Sequence, residues 1–122
     1  VNTEFRDLLA DLTRPLPGIA IKRMFGGFGI FADGQMFGLV VADDLYFKTD
    51  SETVAAFDAE NLPPFSYTKR GGIAVLTSYR RAPERLLDDS DEFLDWARAA
   101  IGVARRFAER PKPRRRKAAA KK

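Results

Sequence analysis

Between residues 19 and 48 the apolar residues recur with a period of two and are largely β-branched or aromatic. The run is interrupted at Gly26-Gly27, Asp33-Gly34 and Asp43-Asp44. This pattern predicts four short strands, 19–24, 28–31, 36–41 and 45–48, joined by hairpins into an antiparallel meander. Asp33-Gly34 is the clearest turn, since a two-residue hairpin loop needs positive φ and glycine supplies it without steric cost. Several of these strands are apolar on both sides: Phe28 and Ile30 oppose Phe31, and Leu39 and Val41 oppose Val40. A sheet with one wetted face alternates more cleanly. Either helices and a long loop cover both sides, or one face is a protein interface.

The flanks supply the helices. Phe5, Leu8, Leu9 and Leu12 stand at helical spacing behind a capping Asn2 or Thr3, and Pro15, Pro17 and Gly18 end that helix. A second helix is expected over 51–60, capped by Asp50 or Ser51 and closed by Asn61-Leu62-Pro63-Pro64. Strands 65–69 and 73–79 form a hairpin around Arg70-Gly71-Gly72. Pro83 opens a helical turn. Asp89 with Glu92 resembles a capping box, and Phe93, Trp96, Ala97, Ala100, Ile101, Ala104 and Phe107 trace one face of a long last helix. The order α-ββββ-α-ββ-α defines an α+β domain over residues 1–110, its terminal helices packed on one antiparallel sheet.

The 122-residue chain contains no Cys and no His, which excludes disulfides, a thiolate nucleophile and imidazole proton relays. No cofactor or metal is expected. The net charge of +4 is unevenly distributed: residues 111–122 hold seven of the 21 basic residues and none of the 17 acidic ones, so residues 1–110 carry 14 − 17 = −3. Those seven, Lys112, Arg114, Arg115, Arg116, Lys117, Lys121 and Lys122, sit among Pro and Ala. The segment reads as a disordered tail that can bind phosphates through counterion release without reading bases. No apolar run reaches the roughly 18–20 residues of a membrane helix, and no signal-peptide pattern opens the chain. A cytoplasmic protein with no membrane partner is expected.

The remaining motifs are weak. Gly27-Phe28-Gly29-Ile30-Phe31-Ala32 fits a dinucleotide pattern, but its glycines lead into a strand instead of a helix, so they fit a bend or bulge better. Asp88, Asp89, Asp91 and Glu92 lack the spacing of a calcium loop and suit a helix N-terminus. The pairs Lys22-Arg23, Lys69-Arg70 and Arg80-Arg81 read as edge protection unless they converge into a phosphate patch. Tyr46, Tyr67 and Tyr79 are ordinary strand residues with no ribonucleoprotein signature around them. No Ser, Lys or carboxylate pair has an activating neighbour, so no enzyme is indicated.

Three blocks resemble the N-terminal domain of the TfoX/Sxy competence regulators. They are Lys22-Arg23-Met24-Phe25-Gly26-Gly27-Phe28-Gly29-Ile30-Phe31, Asp33-Gly34-Gln35-Met36-Phe37 and Leu45-Tyr46-Phe47-Lys48-Thr49-Asp50. Pro64-Phe65-Ser66-Tyr67, Ser78-Tyr79-Arg80 and Trp96-Ala97 follow in the same order. The resemblance implies an α+β domain with an antiparallel sheet in a bacterial regulator of transcription or competence. It supplies no catalytic residues, and the basic tail stands where full-length regulators carry a second domain, as in a stand-alone member. The expectation is a non-enzymatic regulatory domain that binds a protein partner of the transcription machinery, with Arg23, Phe25, Tyr46 and Tyr79 as partner-binding residues and non-specific DNA held by the tail. The alternative is a self-associating or chaperone-like module, a homodimer formed through an apolar sheet face, with no nucleic-acid role.

Overall fold

A computed structural model describes residues 3–24 and 26–109. Six antiparallel strands form one sheet in the order β1-β2-β3-β4-β6-β5. They are β1 (Ile19–Met24), β2 (Gly27–Ala32), β3 (Gln35–Val41), β4 (Asp44–Lys48), β5 (Pro64–Lys69) and β6 (Gly72–Arg81). The helices are α1 (Thr3–Leu12), α2 (Val54–Ala59) and α3 (Ser90–Glu109), with a 3-10 turn at Glu84–Asp88 before α3. The α+β order expected from the sequence is the observed one.

The meander forms because its turns permit it. Asp33 and Gly34 both have positive φ, 52° and 84°, as a two-residue hairpin loop requires. The next turn lies one residue earlier than Asp43-Asp44: Ala42 and Asp43 take φ of 55° and 64°, and Asp44 already pairs with Val41. Between β2 and β3 the register slips, with Ile30 opposite Gly38 and Phe31 opposite Met36. Phe37 is the extra residue of this bulge and is fully buried on the helix side.

All three helices and the 3-10 turn pack on one side of the sheet. Leu9 of α1, Phe57 of α2, Leu86 of the 3-10 turn and Phe93 of α3 share one buried cluster with Phe28, Ile30, Phe37, Val40 and Phe47. Phe47 lies parallel to Phe37 at 6.4 Å and edge-on to Phe93 at 5.9 Å, which ties α3 to the centre of the sheet. Asp89 caps α3, accepting a hydrogen bond from the Glu92 amide at 3.1 Å. The Glu92 side chain does not complete the capping box; Arg85 holds it at 2.8 Å.

Several elements differ in extent from the sequence expectation, most of the strands by a single residue at an end. Helix α2 starts at Val54 because the Asp50 carboxylate accepts the amides of Glu52 and Thr53 (2.9 and 3.2 Å) and holds residues 50–53 in a turn. Strand β6 runs on to Arg81 because Arg80 and Arg81 pair with Phe47 and Tyr46 of β4. Near the end of α3, Val103 and Ala104 are the last buried residues and 105–109 are all exposed, Phe107 at 56%, so the buried stripe stops a turn before the helix does.

Gly27 is packed so closely that a Cβ would collide with the Val40 carbonyl, a backbone group that cannot move aside. Gly27→Ala is expected to lower stability by about 3 kcal/mol or more. Ala42→Gly relieves the positive φ and is expected to raise it by about 1 kcal/mol. Urea unfolding of the two variants beside the parent chain checks both.

Candidate partner-binding face

The opposite side of the sheet holds a second apolar cluster made by strands alone: Leu39, Phe65 and Tyr79, packed with Met36, Val41 and Tyr46. No helix residue belongs to it. Strand alternation explains the division. Leu39 stands opposite Gly29 and Tyr46, one residue out of phase with Val40, which pairs with Phe28 and Leu45 on the helix side. The second glycine of the dinucleotide-like run has its use here: a Cβ at Gly29 would strike Met24 and lie 2.9 Å from the Met36 sulfur, so the glycine leaves room for two methionines over β2. The pattern makes a strand with a hollow, and it opens no helix for a pyrophosphate.

Aromatic rings extend this face toward the last hairpin. Tyr46 meets Phe65 edge-on at 5.1 Å, and Phe65 stacks on Tyr67 at 5.7 Å. The Tyr79 hydroxyl donates to the Met36 carbonyl at 3.5 Å. Two ammonium groups lie over rings, Lys22 on Phe31 at 5.1 Å and Lys48 on Tyr79 at 5.0 Å. Burial pushes the Tyr79 phenol up to about 12. Burial, with help from the Asp44 carboxylate, raises Tyr46 as well, against the opposing Arg81 charge.

The structure therefore brings Tyr46 and Tyr79 onto one surface, Tyr46 half-buried and Tyr79 buried within the cluster. Arg23 is exposed on β1, opposite Phe28, in a column that belongs to the helix side. Phe25 lies outside the described residues, as do Lys112, Arg114, Arg115, Arg116, Lys117, Lys121 and Lys122. Sequence reasoning passed over Met36, Leu39 and Phe65 as members of this surface. The signal that could have found them was the apolarity of β3 on both sides.

The basic pairs do not converge. Lys22 and Arg23 are on β1 at one edge of the sheet, whereas Lys69 and Arg70 end β5 at the other. Arg80 binds Asp58 at 2.7 Å and the Leu62 carbonyl at 2.8 Å, and Arg81 binds Asp44 at 2.6 Å. Both arginines are engaged in holding β6 against its neighbours.

The acidic run near residue 90 is likewise structural. Arg85 clamps Glu60 at 2.7 Å and Glu92 at 2.8 Å and holds both carboxyls below their usual range. Burial alone would raise Asp50, but the Arg106 hydrogen bond and the Glu52 and Thr53 amides outweigh it and depress the carboxyl. Among the described residues, no three carboxylates gather as a metal site would require, and no helix is long and apolar enough to cross a membrane.

Because the folded Tyr79 phenol titrates near 12 and its ordinary value is 10.0, the unfolded chain loses its proton first. Stability from this residue is complete below about pH 10 and falls as pH rises toward 12. In Tyr79→Phe the alkaline loss is expected to shrink by roughly 2 kcal/mol, read from urea midpoints at pH 9, 10.5 and 12.

A family model, the TfoX N-terminal domain, matches residues 11–104, from the end of α1 to the last buried residue of α3. No curated protein matches the chain.

Proposed function

Since the chain belongs to the TfoX N-terminal domain family, we propose that it is a non-enzymatic regulatory domain of the transcription or competence machinery, acting through a protein partner with tail-assisted DNA binding. The observation that carries this reading is the two-sided sheet. Helices cover one apolar face, and the other is made by strands alone, with Met36, Val41 and Tyr46 partly exposed over the buried Leu39, Phe65 and Tyr79. Aromatic and methionine side chains of this kind are enriched where proteins meet.

Ionisation of the body supports a binding role over a catalytic one. The carboxylates that shift, Asp50, Glu60 and Glu92, all shift down beside arginines, which suits ion pairing and not proton donation at neutral pH. Residues 1–110 are net acidic, so duplex DNA is left to the seven basic residues of 111–122.

Two measurements test the reading. Binding of the full chain to duplex DNA is expected to weaken with salt along a log–log slope of about −6, at roughly −0.9 per phosphate contact. With Arg114, Arg115, Arg116 and Lys117 changed to Gln the slope falls to about −3. An unchanged slope removes the tail from the DNA contact. A photo-crosslinking residue at position 46 is expected to capture a transcription-machinery protein in cells, and the same probe at the exposed Arg98 of α3 is not. Equal capture from both positions contradicts use of the helix-free face.

A further inference from the structure

Strand β6 is twice as long as its neighbour β4, ten residues against five. Their ladder covers only Tyr46–Arg81, Phe47–Arg80 and Lys48–Tyr79. Beyond it the chain leaves the sheet at Thr49, whose amide makes one last bond to the Ser78 carbonyl at 2.7 Å. From Gly72 to Leu76, β6 pairs with β5 on one side, and from Gly72 to Thr77 no strand lies on the other among the described residues. The β5–β6 ribbon projects with Ile73 72% exposed and Val75 49% exposed. A two-stranded ribbon standing alone in water is marginal.

The three open edges of the sheet are not alike. Strand β1 carries Lys22 and Arg23, and β5 begins at Pro64 and ends at Lys69. Charge and proline are the devices that keep an edge from pairing. Residues 72–77, Gly-Ile-Ala-Val-Leu-Thr, have neither. Five or six apolar, uncharged strand residues on an open edge invite a further strand.

We propose that this free edge of β6 pairs antiparallel with the same segment of a second copy, about a two-fold axis near Val75, joining two six-stranded sheets into one. An antiparallel edge is complementary to itself under such an axis. The axis sets Ile73 opposite Thr77 of the other copy, the last position before Thr49 takes up the Ser78 carbonyl. The end of the other copy's β4 then stops the ribbon, which fixes the register.

One exposed carboxylate, that of Glu52, favours the same arrangement. The basic tips, Lys69 and Arg70, point away from each other, and each arrives at the 49–52 turn of the other copy. There two carboxylates share one guanidinium: Arg106 binds Asp50 at 2.8 Å and reaches Glu52 at 3.5 Å. The Lys48 ammonium in the same cleft lies over the Tyr79 and Phe107 rings. Glu52 is the outermost of the group, its side chain 69% exposed, and is the partner for an incoming Arg70.

Light scattering of the full chain from micromolar to millimolar concentration tests this. The parent chain is expected to form a dimer, and Val75→Lys, at an exposed site with its fold checked by circular dichroism, a monomer. Arg70→Glu and Glu52→Arg each weaken the dimer about tenfold through two symmetric contacts, and the double variant restores it. A parent chain monomeric at millimolar concentration overturns the proposal, as does a dimer indifferent to Val75→Lys. If Val75→Lys abolishes duplex binding by a monomeric parent, the ribbon is a nucleic-acid arm and the proposal also fails. Tail-dependent DNA binding is read separately, so the earlier reading survives or falls by its own result.

Discussion

The contact of Phe93 with Phe47, backed by Phe37, is the interaction on which the rest of the molecule depends. All three rings are fully buried. A helix of 20 residues spans about 30 Å, enough to lie across the sheet, and these rings fix where it lies. With α1, α2 and the 3-10 turn gathered around the same cluster, the apolar face opposite is left to the strands. The bulge at Phe37 makes this possible by turning one extra aromatic ring toward α3.

Two features follow from that one-sided arrangement. The side chains of the helix-free face must shelter one another, which Leu39, Phe65 and Tyr79 do with the methionines that fold over Gly29. The last hairpin must stand largely by itself, because β4 is short and the Asp50 turn takes the chain out of the sheet. Both features leave apolar strand surface where a monomer has no further use for it. The proposed action by association draws on this anatomy, and the same proposal gives the basic residues of 111–122 a separate electrostatic hold on nucleic acid.

Most of the meander was legible in the sequence, since period-two apolarity and turn residues act locally; β1 occupies 19–24 as read. The errors arise where distant groups intervene. Helix α2 is shorter than its propensity suggests because Asp50 takes the amides that would begin it. Phe107 carries the right spacing for the core, on the same side as Val103 and Ala104, yet it lies beyond the last buried turn of α3 and emerges beside Lys48. The capping box at Asp89 is half made because Arg85, seven residues before Glu92, binds that carboxylate. The candidate face was half visible. The tyrosines drew notice, but Met36 and Leu39 could be assigned to a side only once the Phe37 bulge had set the phase of β3.

Amide hydrogen exchange of the full chain over a concentration series tests most directly whether the helices commit to one face and leave the ribbon edge to a partner. The slowest amides are expected in β2, β3 and β4 at every concentration, beneath the Phe47 and Phe93 rings. Within 73–77, the amides that face away from β5 are expected to exchange rapidly in dilute solution and to become protected as concentration rises. Protection of those edge-facing amides that is already complete when dilute, or rapid exchange in β3, would contradict that arrangement.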